Sequence, residues 1–181
     1  MKTVLVILHE GVEELEAVAP IDLLRRAGAV VTTASTEGTM HVTGRNKITL
    51  HADTVVDALG STLYSMVLLP GGPGIAKLRT DARVLALVKA HAAAGSIVAA
   101  ICAAPLVLKD AGVLAGRRLT GHQSVKGELP AIEEREKVVV DGTLITSRGA
   151  GTAIEFGLAC IEALYDRATA NTVANAIHFG L

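Results

Sequence analysis

Ile97-Val98-Ala99-Ala100-Ile101-Cys102-Ala103-Ala104-Pro105 is the stretch on which the reading of the fold turns. Ile97 to Ile101 is a short, unbroken apolar run, as expected of a strand buried on both faces of a parallel sheet. Pro105 suits the first position of a helix, where its missing N–H costs nothing. A helix is therefore expected from Ala104 to about Ala111. Strand must pass into helix within two or three residues, and only small residues flank the cysteine there. This is the layout of a nucleophile elbow, in which side chains larger than Ala would clash in the turn.

Working outward, the same grammar repeats. Thr3–Leu8 and Met66–Leu69 are further β-branched and Leu-rich runs, read as buried strands, and Val30–Ser35 is read as another strand. Between them, Glu13 to Ala27 reads as a helix with Leu15, Val18, Ile21 and Leu24 near helical spacing, Gly28 as its cap, and Pro20 predicting a kink or a break into two short helices. Val42 to Thr54 is expected to be a hairpin on the sheet edge with Gly44 in or near its turn. Asp81 caps a helix running to about Ala94, which Gly95 stops. Leu119-Thr120-Gly121 is a short strand candidate. Lys137–Val140 and Leu144–Ser147 pair across Asp141-Gly142, and helices follow at Thr152–Leu164 and Ala168–Phe179. Alternation of strand and helix means an α/β, doubly wound sheet in one domain spanning residues 1–181. Ligands of such sheets bind at the carboxyl ends of the strands. Residues 9–16, 70–73, 102 and 147–152 thus become one neighbourhood.

Composition narrows the function. The 181 residues are 50% hydrophobic and 19% charged, which excludes a disordered chain. Aromatic residues make up 2%, too few for a base-stacking platform, and a net charge of −1 offers no basic surplus for nucleic acid or anionic lipid. The apolar stretch from Ile97 to Leu108 is too short to span a bilayer, and the N-terminus shows no cleavable leader. Two cysteines form no disulfide framework. A soluble, cytoplasmic protein is expected.

Cys102 is the sharpest chemical signal. Facing free N–H groups at a helix start, its sulfur should favour the thiolate and titrate below a free thiol; the alternative is a small buried hydrophobe. Cys160, among apolar neighbours in FGLACIEAL, reads as core. Glu16 lies one position beyond Leu15, off the Glu13-Glu14 pair expected to be exposed. Either it points into the crevice with its pKa raised by burial, or it is one more acid favouring a helix start. Pro70-Gly71-Gly72-Pro73 lets backbone N–H groups approach closely: with the Ala103 N–H these could form an oxyanion hole, or the segment is a simple turn. His122 is either a base near the thiol or a structural histidine. No metal-ligand spacing, Walker loop or G-x-G-x-x-G occurs.

Taken together, GVEELEAVAPIDLLRRAG, VLLPGG, IVAAICAAP, LTGH and LITSRGAGT, in this order, resemble the DJ-1/PfpI (ThiJ/PfpI) superfamily and within it the DJ-1 branch. The resemblance implies a flavodoxin-like α/β sandwich, a mostly parallel sheet between helices, and a homodimer. It implies Cys102 as reactive cysteine, Glu16 as the protonated carboxyl beside it and His122 as the nearby histidine. Gly71, Gly72 and Ala103 match the backbone anion pocket, and Arg45 and Arg148 match arginines near the site or the dimer interface. The activities it implies are a glyoxalase acting on methylglyoxal or glyoxal without glutathione, and a deglycase acting on early glycation adducts, neither needing a metal or organic cofactor. A redox-sensing or chaperone-like role through oxidation of Cys102 is the alternative, and a cysteine peptidase or amidase a more distant one. Gln123 and Ala150 stand where the family commonly has proline. Ala103 stands where the protease-like branch places a histidine.

Overall fold

The computed structural model describes residues 1–180. The chain runs β1 (Thr3–Leu8), α1 (Glu14–Arg26), β2 (Val30–Ser35), β3 (His41–Thr43), β4 (Thr49–His51), β5 (Thr54–Val55), β6 (Met66–Leu69), α2 (Ile75–Leu78), α3 (Ala82–Ala93), β7 (Ile97–Ile101), α4 (Pro105–Asp110), β8 (Val138–Asp141), β9 (Leu144–Ser147), α5 (Ala153–Leu164) and α6 (Arg167–Ala176). Seven strands form one sheet in the order β5-β2-β1-β6-β7-β9-β8, parallel except for the β8–β9 pair.

Period-two alternation divides β1 between two cores. Val4, Val6 and Leu8 face α1 and α5, whereas Leu5 and Ile7 face the side of α3 and α4. A sheet covered on both faces needs apolar residues along its inner strands, which is what Val4–Leu8 of β1 and all of β6 and β7 show. Strand order reverses at β1, so the crevice of a doubly wound sheet opens at the carboxyl ends of β1 and β6. Cys102 follows β7, the next strand. No helix of the described residues is long and apolar enough to cross a membrane.

Several expectations are corrected. α1 runs unbroken through Pro20. The proline forfeits one backbone bond, but it packs on α5 at Gly157, where an added Cβ would stand 3.2 Å from the Pro20 Cα. That close contact holds the helix together across the gap. The buried face of α1 is also turned from the expected one: Leu15 is 61% and Val18 46% exposed, while Glu14, Glu16, Ala17, Leu23 and Leu24 are buried. The hairpin of β3 and β4 exists, but as a separate two-stranded ribbon; the edge of the main sheet is β5. Residues 119–121 form no strand. There Thr120 N–H donates to the Thr146 hydroxyl at 2.9 Å, so a side chain replaces the ladder.

Candidate active site

Cys102 adopts φ 66°, a left-handed conformation that costs an L-residue about 1–2 kcal/mol and persists only when its surroundings impose it. Here they do. Its N–H donates to Ser147 O at the end of β9 (2.9 Å), and its carbonyl accepts from His122 N–H (2.8 Å). The turn is thus clamped from both sides, and the side chain is thrust out above the sheet while α4 begins at Pro105.

Glu16 arrives from α1. Glu13 caps that helix, its Oε2 accepting from Glu16 N–H at 2.9 Å, and Glu13 N–H donates to Gly71 O at 3.0 Å. These bonds dock the first turn of α1 against the β6 loop. Glu16, 1% exposed, accepts from Gly71 N–H through Oε2 (2.9 Å) and from the Ala150 amide, and shares a hydrogen bond with the Cys102 thiol. Gly71 is confined by the pair: a Cβ there would lie 2.6 Å from Glu16 Oε2 and 2.7 Å from the Cys102 Cβ. Gly72, at φ 112°, is held equally closely, with Gly11 O 2.4 Å from where its Cβ would be.

The electrostatics overturn one expectation and refine another. Burial pushes the Glu16 carboxyl up to about 7, the hydrogen bond to Cys102 working against it. The Cys102 thiol is pushed up to about 12, first by burial and then by the charge of Glu16, against the downward pull of the Ala103 and Gly72 amides. The expected low-pKa thiol counted the helix end and omitted the carboxylate. With Glu16 charged the sulfur keeps its proton. The thiolate therefore forms as the partner state in which that proton sits on Glu16, and the two groups ionise as a pair.

The acids beside Glu16 are buried too, contrary to expectation. Glu14 staples the β3–β4 ribbon to α1: its Oε1 accepts from Asn46 N–H at 2.7 Å and Oε2 from the Asn46 amide at 3.0 Å. Against the cost of burial, these bonds hold it below the usual carboxylate range.

Of the proposed anion pocket, the Gly71 N–H is already committed to Glu16, leaving the Gly72 and Ala103 amides on the sulfur. The thiol opens onto a pocket of about 360 Å³ walled by Gly72, Ile75, Arg79, Leu106, Ser124 and His122, with Arg45 at its rim. The His122 side chain makes no hydrogen bond to Cys102 or Glu16. Its Nδ1 accepts from Ser124 N–H (3.2 Å) and lies 2.8 Å from the Ser124 hydroxyl, so the neutral ring carries its proton on Nε2. A Cβ at Gly149 would stand 3.7 Å from Glu16 Oε1, 3.7 Å from His122 Cδ2 and 3.9 Å from the Cys102 sulfur, which places Gly149 at the centre of the three. Arg148 lies on the far side of His122, in a second opening with Gln123 and Ala150. Arg79 carries no signal in the sequence, because it follows directly on the four-residue α2, too short to be periodic. Cys160 is sealed in the core, its thiol raised by burial. Among the described residues no three His, Cys, Asp or Glu side chains gather as a metal site.

A mostly parallel α/β sheet carrying a cysteine in a left-handed strand-to-helix turn, with a buried carboxyl against its sulfur, defines a class of cysteine-centred α/β proteins. The chain belongs to the DJ-1/PfpI family, whose profile matches residues 2–163. It is 38% identical over 180 residues to "Protein dj-1beta" of Drosophila melanogaster, covering 97% of this chain and 96% of that one. It is 33% identical over 169 residues to the Caenorhabditis elegans "Glutathione-independent glyoxalase DJR-1.2", covering 90% and 89%. Among solved structures, oxidized Toxoplasma gondii DJ-1 superposes with a TM-score of 0.95 at 34% identity, covering 100% of both chains.

Proposed function

We propose that this protein is a cofactor-independent glyoxalase that converts methylglyoxal or glyoxal to the 2-hydroxy acid, with early glycation adducts as a second substrate class. The observation that carries the reading is the Glu16–Cys102 pair at the floor of an open pocket, with the Gly72 and Ala103 amides on the sulfur. The thiolate adds to the aldehyde carbon while Glu16 holds the proton. The resulting alkoxide lies against the two amides and takes up a proton to give the hemithioacetal. Glu16 then moves the C1 proton to the neighbouring carbonyl oxygen, giving an enediol; protonation of C2 and loss of the C1 hydroxyl proton leave a thioester to sulfur. Water cleaves that bond, releasing the 2-hydroxy acid and restoring the thiol. Aldehyde plus one water gives acid, with no external oxidant. The name carried by the nematode relative supports the same chemistry. A peptidase reading loses support because His122 is turned to Ser124.

One observation favours a second role. Cys102 is half-buried whereas Cys160 is sealed, which would confine peroxide oxidation to Cys102. Two peroxides would take the thiol to a sulfinate and leave two waters. We further propose a cytoplasmic homodimer, a reading supported by two free cysteines and by the exposed Leu15 and Val18 of α1 beside exposed Ile48 of the ribbon. The deciding experiment is lactate formation from methylglyoxal by the purified protein beside Cys102→Ser. Lactate from the first and none from the second is the expected result; none from either would overturn the glyoxalase reading.

A further inference from the structure

The two walls of the thiol pocket come from distant parts of the chain. Gly72, Ile75 and Arg79 belong to the β6–α2 side; His122, Ser124 and Val125 belong to residues 119–136, which contain no strand. Those residues are seated by four apolar anchors, Leu119, Val125, Leu129 and Ile132.

Arg79 crosses between the walls. Its Nη1 and Nη2 donate to the two carboxylate oxygens of Glu128 at 2.7 and 2.7 Å, and its Nε and Nη2 donate to Asp110 at 2.6 and 3.2 Å. Lys109 Nζ adds a bond to Glu128 at 3.0 Å. Other ion pairs of residues 119–136, Arg118–Glu133 and Lys126–Glu134, do not reach α2. Isolated surface pairs contribute little, but two-pronged contacts from one guanidinium to two carboxylates, inside a network, are the exception. The hydrogen bonds from Arg79 and Lys109 hold Glu128 down at about 2. The contact therefore stays charged at any pH where the thiol works, and salt is what loosens it.

We propose that Arg79 and Glu128 form a latch that sets the width of the thiol pocket and so limits the size of aldehyde that reaches Cys102. Small 2-oxoaldehydes enter with the latch closed; an aldehyde or adduct carrying a bulky substituent needs it open. The choice of aldehydes rests on the glyoxalase reading, whereas access to the sulfur does not. Arg79 acts here as a positioning residue, holding the wall that bears His122 and Ser124.

The test measures alkylation of Cys102 by iodoacetamide and by a pyrene maleimide, in wild type and in Glu128→Gln, at low and high salt. Cys160 is fully buried, so Cys102 is the thiol counted. In wild type, high salt should raise the ratio of bulky to small alkylation rates about threefold or more. Glu128→Gln should show the raised ratio already at low salt, with no further salt response. A ratio unmoved by salt in wild type, or equally salt-dependent in the variant, overturns the latch. If Glu128→Gln proves unstable on melting, the wild-type salt series decides alone. Methylglyoxal turnover, run alongside, separates the two readings. A ratio that responds without lactate keeps the latch and removes the glyoxalase; lactate with an unresponsive ratio does the reverse.

Discussion

The buried Glu16 carboxyl hydrogen-bonds the half-buried Cys102 thiol, so neither group can be assigned a proton without the other. The first proton to leave the pair sets when the nucleophile becomes available. Alkylation of Cys102 by iodoacetamide should therefore rise with pH around a midpoint of about 7. A midpoint at the free-thiol value of roughly 8.5 would mean that the two groups titrate independently.

Glu16→Gln keeps a hydrogen-bonding side chain of the same length but cannot shuttle a proton. Methylglyoxal turnover should fall about a hundredfold or more, while the midpoint near 7 disappears from the alkylation profile. Glu16→Asp should be damaged as well, because one methylene fewer withdraws the carboxyl from both Gly71 and the sulfur. Turnover near wild type in Glu16→Gln would remove Glu16 from the proton-transfer path.

The raised carboxyl also links pH to stability. The folded value of about 7 lies above the ordinary 4.5, so the folded state binds the Glu16 proton more tightly than the unfolded chain does. This contribution is full below pH 4.5 and is lost as pH rises through 7. Its size is at most about 3 kcal/mol. Denaturant titrations should show wild type losing stability relative to Glu16→Gln between pH 5 and 8; parallel curves would contradict the shift.

Gly71→Ala places a methyl group against the Glu16 carboxyl, the Cys102 Cβ and, at 2.9 Å, the Ile101 carbonyl. Two of these three are held by main chain. The variant should lose about 1–3 kcal/mol and most of its thiol reactivity. Cys102→Gly should do the opposite for stability, gaining up to about 1 kcal/mol as the left-handed turn is relieved, with all activity lost. Thermal melts of the two variants beside wild type check both signs.

Leu15→Arg tests the proposed dimer. Leu15 is exposed and touches neither the pocket nor the core, so the variant should fold, melt near wild type as a monomeric unit and sediment at half the wild-type mass. A wild type that already sediments as a monomer at micromolar concentration removes the proposal.

Strands β1, β6 and β7 were legible because a strand buried on both faces leaves a nearly unbroken apolar run. The capped ends of α3, at Asp81 and Gly95, were legible because single residues there serve single geometric needs. The inner face of α1 was not. Periodicity counts Leu15 and Val18 as core, but Glu14 and Glu16 hold those inward directions, one stapling the ribbon and the other meeting the thiol. A hydrophobic count cannot see a carboxylate whose partners arrive from 32 and 34 residues away. Thr120 was misread for a related reason, since its backbone is satisfied by a side chain rather than a neighbouring strand. The elbow itself stood out in the sequence; the charge of Glu16 acting on it did not, because that depends on how closely Gly71 lets α1 approach.

The Cys102 backbone is bonded at both its N–H and its carbonyl, and neither partner is a side chain. The sulfur is thus sited by main chain from β9 and from the residue 122 segment, while Ile75, Arg79, Leu106 and Ser124 line the space above it. Those four positions shape the room around a fixed anvil without holding the anvil itself. Retargeting this scaffold to new electrophiles should succeed through substitutions there, with the nucleophile remaining in register, and should fail wherever a change reaches the hydrogen bonds beneath it.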